Sequence, residues 1–532
     1  YSYDNAGTVR ADGGICIPIG ILDDPDHQRQ EQLTLNISEN NTFILGSSQF
    51  GKTCMLQTMI RGLAEAYTPK EVNLYIIDFA SMALKVFDGL KHVGGVIIPG
   101  EDEKLKLFFR MIGKEMKQRK EKFSQMGITS YQSYREAGFD DLAQIVILLD
   151  NMTAFRALCG EYDDDLLNLV REGSAIGISV NVTSQQISGI GYKYLAAFSN
   201  KYGLTCNDKA EYSSLFDRCR MEPKALPGRA LASVDKVLYE FQTYLGFAGE
   251  KEIQRVEAIQ AFIRERNTAC VGSGAKRIPE VPAVLKHEYL EEAFGAAAKN
   301  SWYMGIDFDT VEPVFLDGLR DGYLAICGKR NSGRSNYIRY LFHCIEGRIF
   351  DEPVEAYVID GFEQKLGAVQ DYGFVEQYTT DASEFEMIVD RIESVCEDRA
   401  ERCQTEGAGF LAEEPLLLVV VNHPAVYDAS KTTKEVCTQW KNIMKNYKNM
   451  KVVFILSGIE NAAVGYGAND LMKQIKEGKN ILFLDDLAGI KLTDVSAGIQ
   501  RQFRKPVEAG DGYYITAGGV RKIRTPLYME EV

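Results

Sequence analysis

Two glycine-rich stretches, GSSQFGKT from Gly46 and GKRNSGRS from Gly328, stand 282 residues apart in a chain of 532. Other phrases recur near that offset. VNLYIIDFA (72–80) matches VEAYVIDGF (354–362), with Asp78 and Asp360 also 282 apart. EMKQRKEKFSQMG (115–127) resembles CEDRAERCQTEG (396–407) and pairs Arg119 with Arg399. QIVILLDN (144–151) parallels LLLVVVNH (416–423), which sets Asp150 opposite Asn422. ISVNVTSQQ (178–186) parallels KVVFILSGI (451–459). Correspondences kept in one order make the chain two copies of one domain.

Each copy reads as an α/β unit. Runs such as YIID, IVILLD and ISVNVT are short, continuous and rich in β-branched residues, as strands buried on both faces are. Helix-length segments separate them, most clearly residues 101–123 and 381–403. The alternation predicts a mostly parallel twisted sheet flanked by helices in each copy. The join is expected within 267–284, where Gly272, Gly274, Pro279 and Pro282 interrupt any periodicity. The predicted domains are therefore 1–275 and 276–532.

Hydrophobic residues make up 45% and charged residues 25%, which suits a soluble globular chain with full cores. No apolar run approaches the ~18 residues that span a bilayer, and no signal peptide is expected at the start. The net charge of −15 argues against a protein that tracks nucleic acid. The 11 cysteines include no CxxC pair, so reduced thiols and no zinc site are expected.

GSSQFGKT fits the pattern G-x-x-x-x-G-K-[ST] at every position, between the strand-like NTFIL (41–45) and a helical segment (54–67). Gly46 and Gly51 permit turns that a β-carbon would obstruct. Backbone N–H groups of Gly46, Ser47, Ser48, Gln49, Phe50, Gly51, Lys52 and Thr53 would then cradle phosphates at a helix start. Lys52 would sit between the β- and γ-phosphates of ATP, and the Thr53 hydroxyl would ligate Mg²⁺. Asp150 ends an apolar strand, where a carboxylate would hold that ion. Asn151 follows where a general base would be wanted, and an amide cannot take a proton, so slow hydrolysis is expected. Gln185 is the candidate polar sensor, placed to hold the attacking water or the γ-phosphate. Asp78 either adds charge near the site or caps a strand end.

The second copy keeps Gly328, Gly333 and Ser335 around Lys329, Arg330, Asn331 and Ser332, but Arg334 replaces the lysine. A planar guanidinium does not substitute for a compact ammonium. Asn422 removes a charge from the metal position, and Ser457, Gly458 and Ile459 carry no glutamine. Phosphate binding is conceivable there; efficient turnover is not expected.

Taken with these motifs, the chain resembles the FtsK/SpoIIIE class of motor ATPases, and within it the C-terminal part of type VII (ESX) secretion ATPases. The resemblance rests on an opening phrase, IPIGILDDPDHQRQEQLTL (17–35), echoed by YMGIDFDTVEPVFLDGL (303–319). It rests also on YIIDF and YVIDG, on TSQQI (183–187), and on LPGRA (226–230) with its partner EAGDGY (508–513). It implies two tandem RecA-like P-loop NTPase domains, the second and third of the family's three. It further implies small helical WXG-type substrates carrying a C-terminal signal, the membrane-embedded secretion machinery as partner, and a hexamer for the full-length protein. The expected location is the cytoplasmic face of the bacterial membrane. An arginine acting on a neighbouring subunit could come from Arg119 or Arg399, which otherwise read as solvated. Trp440, Ile443, Met444 and Tyr447 form an apolar stripe that is either a docking face or core.

Overall fold

The structure, a computed structural model, describes residues 1–7, 14–38, 40–217, 219–295, 302–316, 322–347, 353–447, 449–461 and 469–528. It divides into two compact units, Tyr1–Pro279 and Glu280–Val532. The first unit keeps residues 276–279 because this stretch lies along its sheet edge. Ala275 N–H donates to Lys91 O (2.7 Å) and Ile278 N–H to Gly94 O (3.0 Å).

The strands of the first unit are Cys16–Asp24 (β1), Arg29–Asn36 (β2), Thr42–Leu45 (β3), Val72–Asp78 (β4) and Val93–Ile97 (β5). Gln144–Asp150 (β6), Ile178–Ser184 (β7), Asn200–Leu204 (β8), Arg229–Val234 (β9) and Val237–Thr243 (β10) complete its sheet. The order is β2-β1-β10-β9-β8-β3-β7-β6-β4-β5. The second unit has Trp302–Asp307 (β11), Pro313–Leu316 (β12), Tyr323–Gly328 (β13), Val354–Asp360 (β14) and Val375–Thr379 (β15). It continues with Leu416–Asn422 (β16), Val452–Ile459 (β17), Ile481–Leu484 (β18), Asp511–Thr516 (β19) and Gly519–Arg524 (β20). Its order, β12-β11-β20-β19-β18-β13-β17-β16-β14-β15, repeats the first position for position.

From β8 to β5 the first sheet is parallel, and its strands β3, β6 and β7 are wholly buried, as their unbroken apolar runs require. The other end is antiparallel, built from two hairpins that strand-helix alternation does not announce. The β9–β10 turn uses Asp235 (φ 51°) and Lys236 (φ 68°), both left-handed, as a tight two-residue hairpin demands. The long helices span Asp102–Met126 and Glu384–Glu406. They run past their expected ends to Gly127 (φ 68°) and Gly407 (φ 84°), where the chain leaves the helical region.

Among the described residues, no helix is long and apolar enough to cross a membrane. The apolar stripe on the helix Lys434–Asn446 faces inward. Trp440 and Ile443 are core residues, and Met444 and Tyr447 pack against that core. The stripe is therefore not a docking face; it fixes this helix to the sheet.

Candidate functional site

The parallel half of each sheet ends its central strands on one edge, where ligands of such folds gather. At that edge β3 passes through Gly46–Gly51 into the helix Lys52–Ala66. Two positive-φ residues, Gln49 (67°) and Gly51 (104°), bend the loop back on itself. Gly46 has no room for a side chain: a β-carbon there would stand 2.9 Å from that of Leu204. The loop is buttressed from outside by the LPGRA turn, whose Gly228 N–H donates to Phe50 O (3.0 Å). Ser47 is buried and accepts from Asn207 N–H through its hydroxyl (2.9 Å), while Ser48 and Gln49 are exposed.

Lys52 is 9% exposed and lies across the loop, donating to Gly46 O (2.7 Å) and Ser47 O (2.8 Å). Burial lowers its pKa, with Asp150 opposing. Thr53 Oγ1 donates to Asp150 Oδ2 at 2.6 Å. Asp150 is buried, and burial raises its pKa against the hydroxyls of Thr183 and Thr53 that donate to it; the Asp78 carboxylate adds to the rise. Asp78 sits opposite Asp150 in the β4–β6 register, and its oxygens accept from Ala80 N–H (3.1 Å) and Leu84 N–H (2.9 Å). It does both things the sequence left open: it caps the strand end and lends charge.

Gly46 through Thr53, Lys52 and Asp150 are thus gathered at one point. The glycines leave the cradle clear, and a hydroxyl beside a carboxylate is a hard-oxygen donor set suited to Mg²⁺. The site fits a nucleotide with its metal. Gln185 stands exposed beyond the end of β7. The residue that reaches the carboxylate is Thr183, two positions earlier. Its Oγ1 donates to Asp150 Oδ1 and accepts from Asn151 N–H (2.8 Å). Its only sequence signal was a hydroxyl on the strand beside Asp150. Asn151 is explained by backbone geometry. It has φ 72° and caps the helix Met152–Leu158, accepting from Ala154 N–H through Oδ1 (3.2 Å). Left-handed backbone favours Asn over most residues.

The second unit repeats the scaffold. Asn331 has φ 60° and Gly333 φ 106°, matching Gln49 and Gly51. Gly510 N–H donates to Ser332 O (3.1 Å), as Gly228 does to Phe50. The side chains differ. Arg334 begins the helix Arg334–Glu346 but turns from the loop, donating to Ile459 O (3.0 Å) with Glu460 3.9 Å away. Asn422 Nδ2 donates to Asp360 Oδ1 (2.8 Å), so an amide fills the place of the second carboxylate. Lys329 and Arg330 are exposed, and Ser335 lines a cleft of about 560 Å³ with Arg330, Arg334, Phe362 and His423.

Arg119 and Arg399 overturn both expectations for them. They are 3% and 1% exposed. Arg119 donates to Glu115 (2.9 Å) and to the carbonyls of Ala143 (2.7 Å), Ile176 (3.0 Å) and Gly177 (3.1 Å). Arg399 donates to Met450 O (2.7 Å) and Pro415 O (3.0 Å). Each ties its long helix to the strand ends remote from the loop, and neither is free to act on another subunit.

Residues 16–187 match the FtsK/SpoIIIE family. The ESX secretion system protein EccC of Geobacillus thermodenitrificans is 24% identical over 523 residues, 96% of this chain and 34% of that protein. YukB of Bacillus subtilis is 23% identical over 96% of this chain and 34% of its own length. The chain thus spans about a third of the curated relatives it matches. The solved EssC ATPases 2 and 3 of Geobacillus thermodenitrificans superpose with TM-score 0.83, at 22% identity, over 98% of this chain and 97% of that one. Thermomonospora curvata EccC (ATPases 2 and 3), in complex with a signal sequence peptide, gives 0.67 at 22% identity over 99% and 96%. The duplicated fold is that of the solved ATPases 2 and 3, residues 16–187 carry an FtsK/SpoIIIE domain, and the EccC, EssC and YukB proteins of type VII secretion are similar to this chain over most or much of its length.

Proposed function

We propose that this chain is the second and third ATPase domains of a type VII secretion motor, in which the first unit binds ATP with Mg²⁺ and the second receives substrate. The observation that carries the nucleotide assignment is the contact between Thr53 and Asp150 beside Lys52. Lys52 would leave the carbonyls of Gly46 and Ser47 for the β- and γ-phosphates. The backbone N–H groups that open the helix Lys52–Ala66 have no carbonyl one turn earlier and would bond phosphate oxygens. Mg²⁺, when bound, would offset phosphate charge. Thr53 would ligate it, and Thr183 would hold the Asp150 carboxylate in place. Asn151, committed to capping, offers no base, which supports slow turnover.

For the second unit, the supporting contrast lies at the outer strands. β5 is buried throughout, covered by its own chain at Ala275 and Ile278. Its counterpart β15 is exposed or half-exposed at every residue. An edge of this kind can take a segment from another chain. On this reading the occupant is the C-terminal export signal of a WXG-type protein, delivered at the membrane machinery.

The test is titration of Mg·ATP into the full chain and into Lys52→Ala, followed by addition of a signal peptide. Loss of one ATP equivalent in Lys52→Ala and peptide binding weakened by Gln377→Pro, which breaks the pairing of β15 with β14 and so disrupts that edge, support the proposal. Undiminished ATP binding in Lys52→Ala refutes the nucleotide assignment, and peptide affinity unchanged in Gln377→Pro refutes the docking edge.

A further inference from the structure

The two loops share a backbone but not a charge arrangement. GSSQFGKT holds one cation, Lys52, whereas GKRNSGRS holds Lys329, Arg330 and Arg334. The second loop therefore carries two more positive charges, the charge of one divalent ion.

Its carboxylates are meanwhile withdrawn. Asp360 accepts from Gly361 N–H (2.8 Å), Leu366 N–H (2.7 Å), the Tyr378 hydroxyl (2.9 Å) and Asn422 Nδ2 (2.8 Å). Four donors occupy both oxygens. Glu363 faces Lys365 (2.7 Å) and Arg330 (3.7 Å), and Glu460 faces Arg334 (3.9 Å). Among the described residues, every carboxylate lining the cleft is engaged with a donor or a cation, whereas a magnesium site needs an anionic oxygen to spare. The donor set does not fit the metal.

It does fit an anion. Gly333 (φ 106°) turns the chain into a helix of 13 residues, whose first N–H groups face the loop. The Ser332 hydroxyl supplies a second, independent sign. Ser332 is 3% exposed, its Oγ lacks a hydrogen-bond partner among the described residues, and it stands 2.8 Å from where a β-carbon on Gly328 would be. A buried hydroxyl turned into a phosphate-shaped loop is a donor awaiting an acceptor.

We propose that the second unit binds the polyphosphate of a nucleotide without a divalent cation, with Lys329, Arg330 and Arg334 in the place of the metal's charge. This rests on the reading that the chain binds ATP. Guanidinium and ammonium groups neutralise phosphate oxygens directly; Arg334 would exchange the Ile459 carbonyl and Glu460 for the ligand, Arg330 its contact with Glu363 and Lys329 its contact with Asp485, 3.8 Å away.

The experiment is equilibrium dialysis of radiolabelled ATP against the full chain, in Mg²⁺ and in EDTA. Lys52→Ala should leave one equivalent, with affinity unchanged within about twofold between the two buffers. Arg334→Ala should weaken the second site about tenfold and leave the first intact, and EDTA should weaken that first site about tenfold or more. Asn422→Asp, made in the Lys52→Ala chain, should weaken binding in EDTA and restore it with Mg²⁺. Each variant's cooperative thermal melt confirms folding. A residual Lys52→Ala site that weakens tenfold in EDTA overturns the inference. One equivalent in wild type and none in Lys52→Ala overturns it while the first-unit assignment stands. No binding to wild type in either buffer removes both.

Discussion

The loop after Leu45 and the loop before Arg334 are nearly one conformation carrying two chemistries. Gly51 and Gly333 differ by only 2° in φ, at 104° and 106°. Each loop is propped by a glycine N–H from the β8–β9 or β18–β19 connection. Yet Lys52 turns into its loop and Arg334 turns out to Ile459 O. One strand edge presents two carboxylates in register; the other presents a carboxylate bonded to an amide. The backbone shape is therefore not maintained by its ligand chemistry. It follows from strand-to-helix packing and from residues that tolerate positive φ, and it survives when the chemical groups change.

Removing the two cations in turn separates the loops most strongly. Lys52→Ala should cost the first site about a hundredfold in Mg·ATP affinity, because its ammonium is the only cation in that loop. Arg334→Ala should cost the second site about tenfold, since Lys329 and Arg330 remain. Calorimetric titration of both variants reads the ratio; equal losses would mean that the loops are chemically alike.

Next come the two buried arginines, where the units should behave identically. Arg119→Ala strands three carbonyls and Arg399→Ala two, and each should destabilise its own unit by about 3 kcal/mol. Thermal melts check this. A wild-type melt with altered ATP turnover would instead restore the inter-subunit reading.

Exchanging the strand-end residues should have smaller and opposite effects. Asn422→Asp sets a second carboxylate against Asp360 and should destabilise the second unit by about 1–2 kcal/mol in metal-free buffer. Asp150→Asn relieves the corresponding strain between Asp150 and Asp78 and should be neutral or slightly stabilising, while abolishing the Mg²⁺ response. Denaturant melts with and without Mg²⁺ separate these outcomes.

The smallest effect is on pH. Burial holds the Asp150 carboxyl above its ordinary value, so the folded chain keeps a proton there that the unfolded chain releases. The stability this proton contributes is present below the unfolded value of about 3.9 and is lost as pH rises through the folded value. Mg²⁺ competes with the same proton, so the metal's enhancement of ATP affinity should fade as pH drops through the window just above about 3.9. The second site, with no free carboxylate, should show no such fade. Titrations across that window compare the two.

Much of this was legible without coordinates. The offset of 282 residues disclosed the duplication, and the spacing of Gly46, Gly51, Lys52 and Thr53 located the loop. Unbroken apolar runs gave the parallel strands, because burial on both faces leaves no polar alternation. Asp150 was found by its place at a strand end, and the losses at Arg334 and Asn422 were visible by alignment of the halves. The antiparallel end was not visible, since Asp235 and Lys236 lack the Asn-Gly signature of a tight hairpin.

The features readable from residue order are therefore periodic or local: the repeat, the element types, and the glycines where the chain must turn. The tertiary structure alone decided which groups meet. Thr53 finds Asp150 across 97 residues, Asn422 finds Asp360 across 62, and Arg334 finds Ile459 across 125. Arg119 looked solvated on a charged helix, and only folding brought three carbonyls to it. Local propensity depends on neighbours a few residues away, whereas the direction of a long side chain depends on which unpaired acceptor the packed sheet leaves within reach.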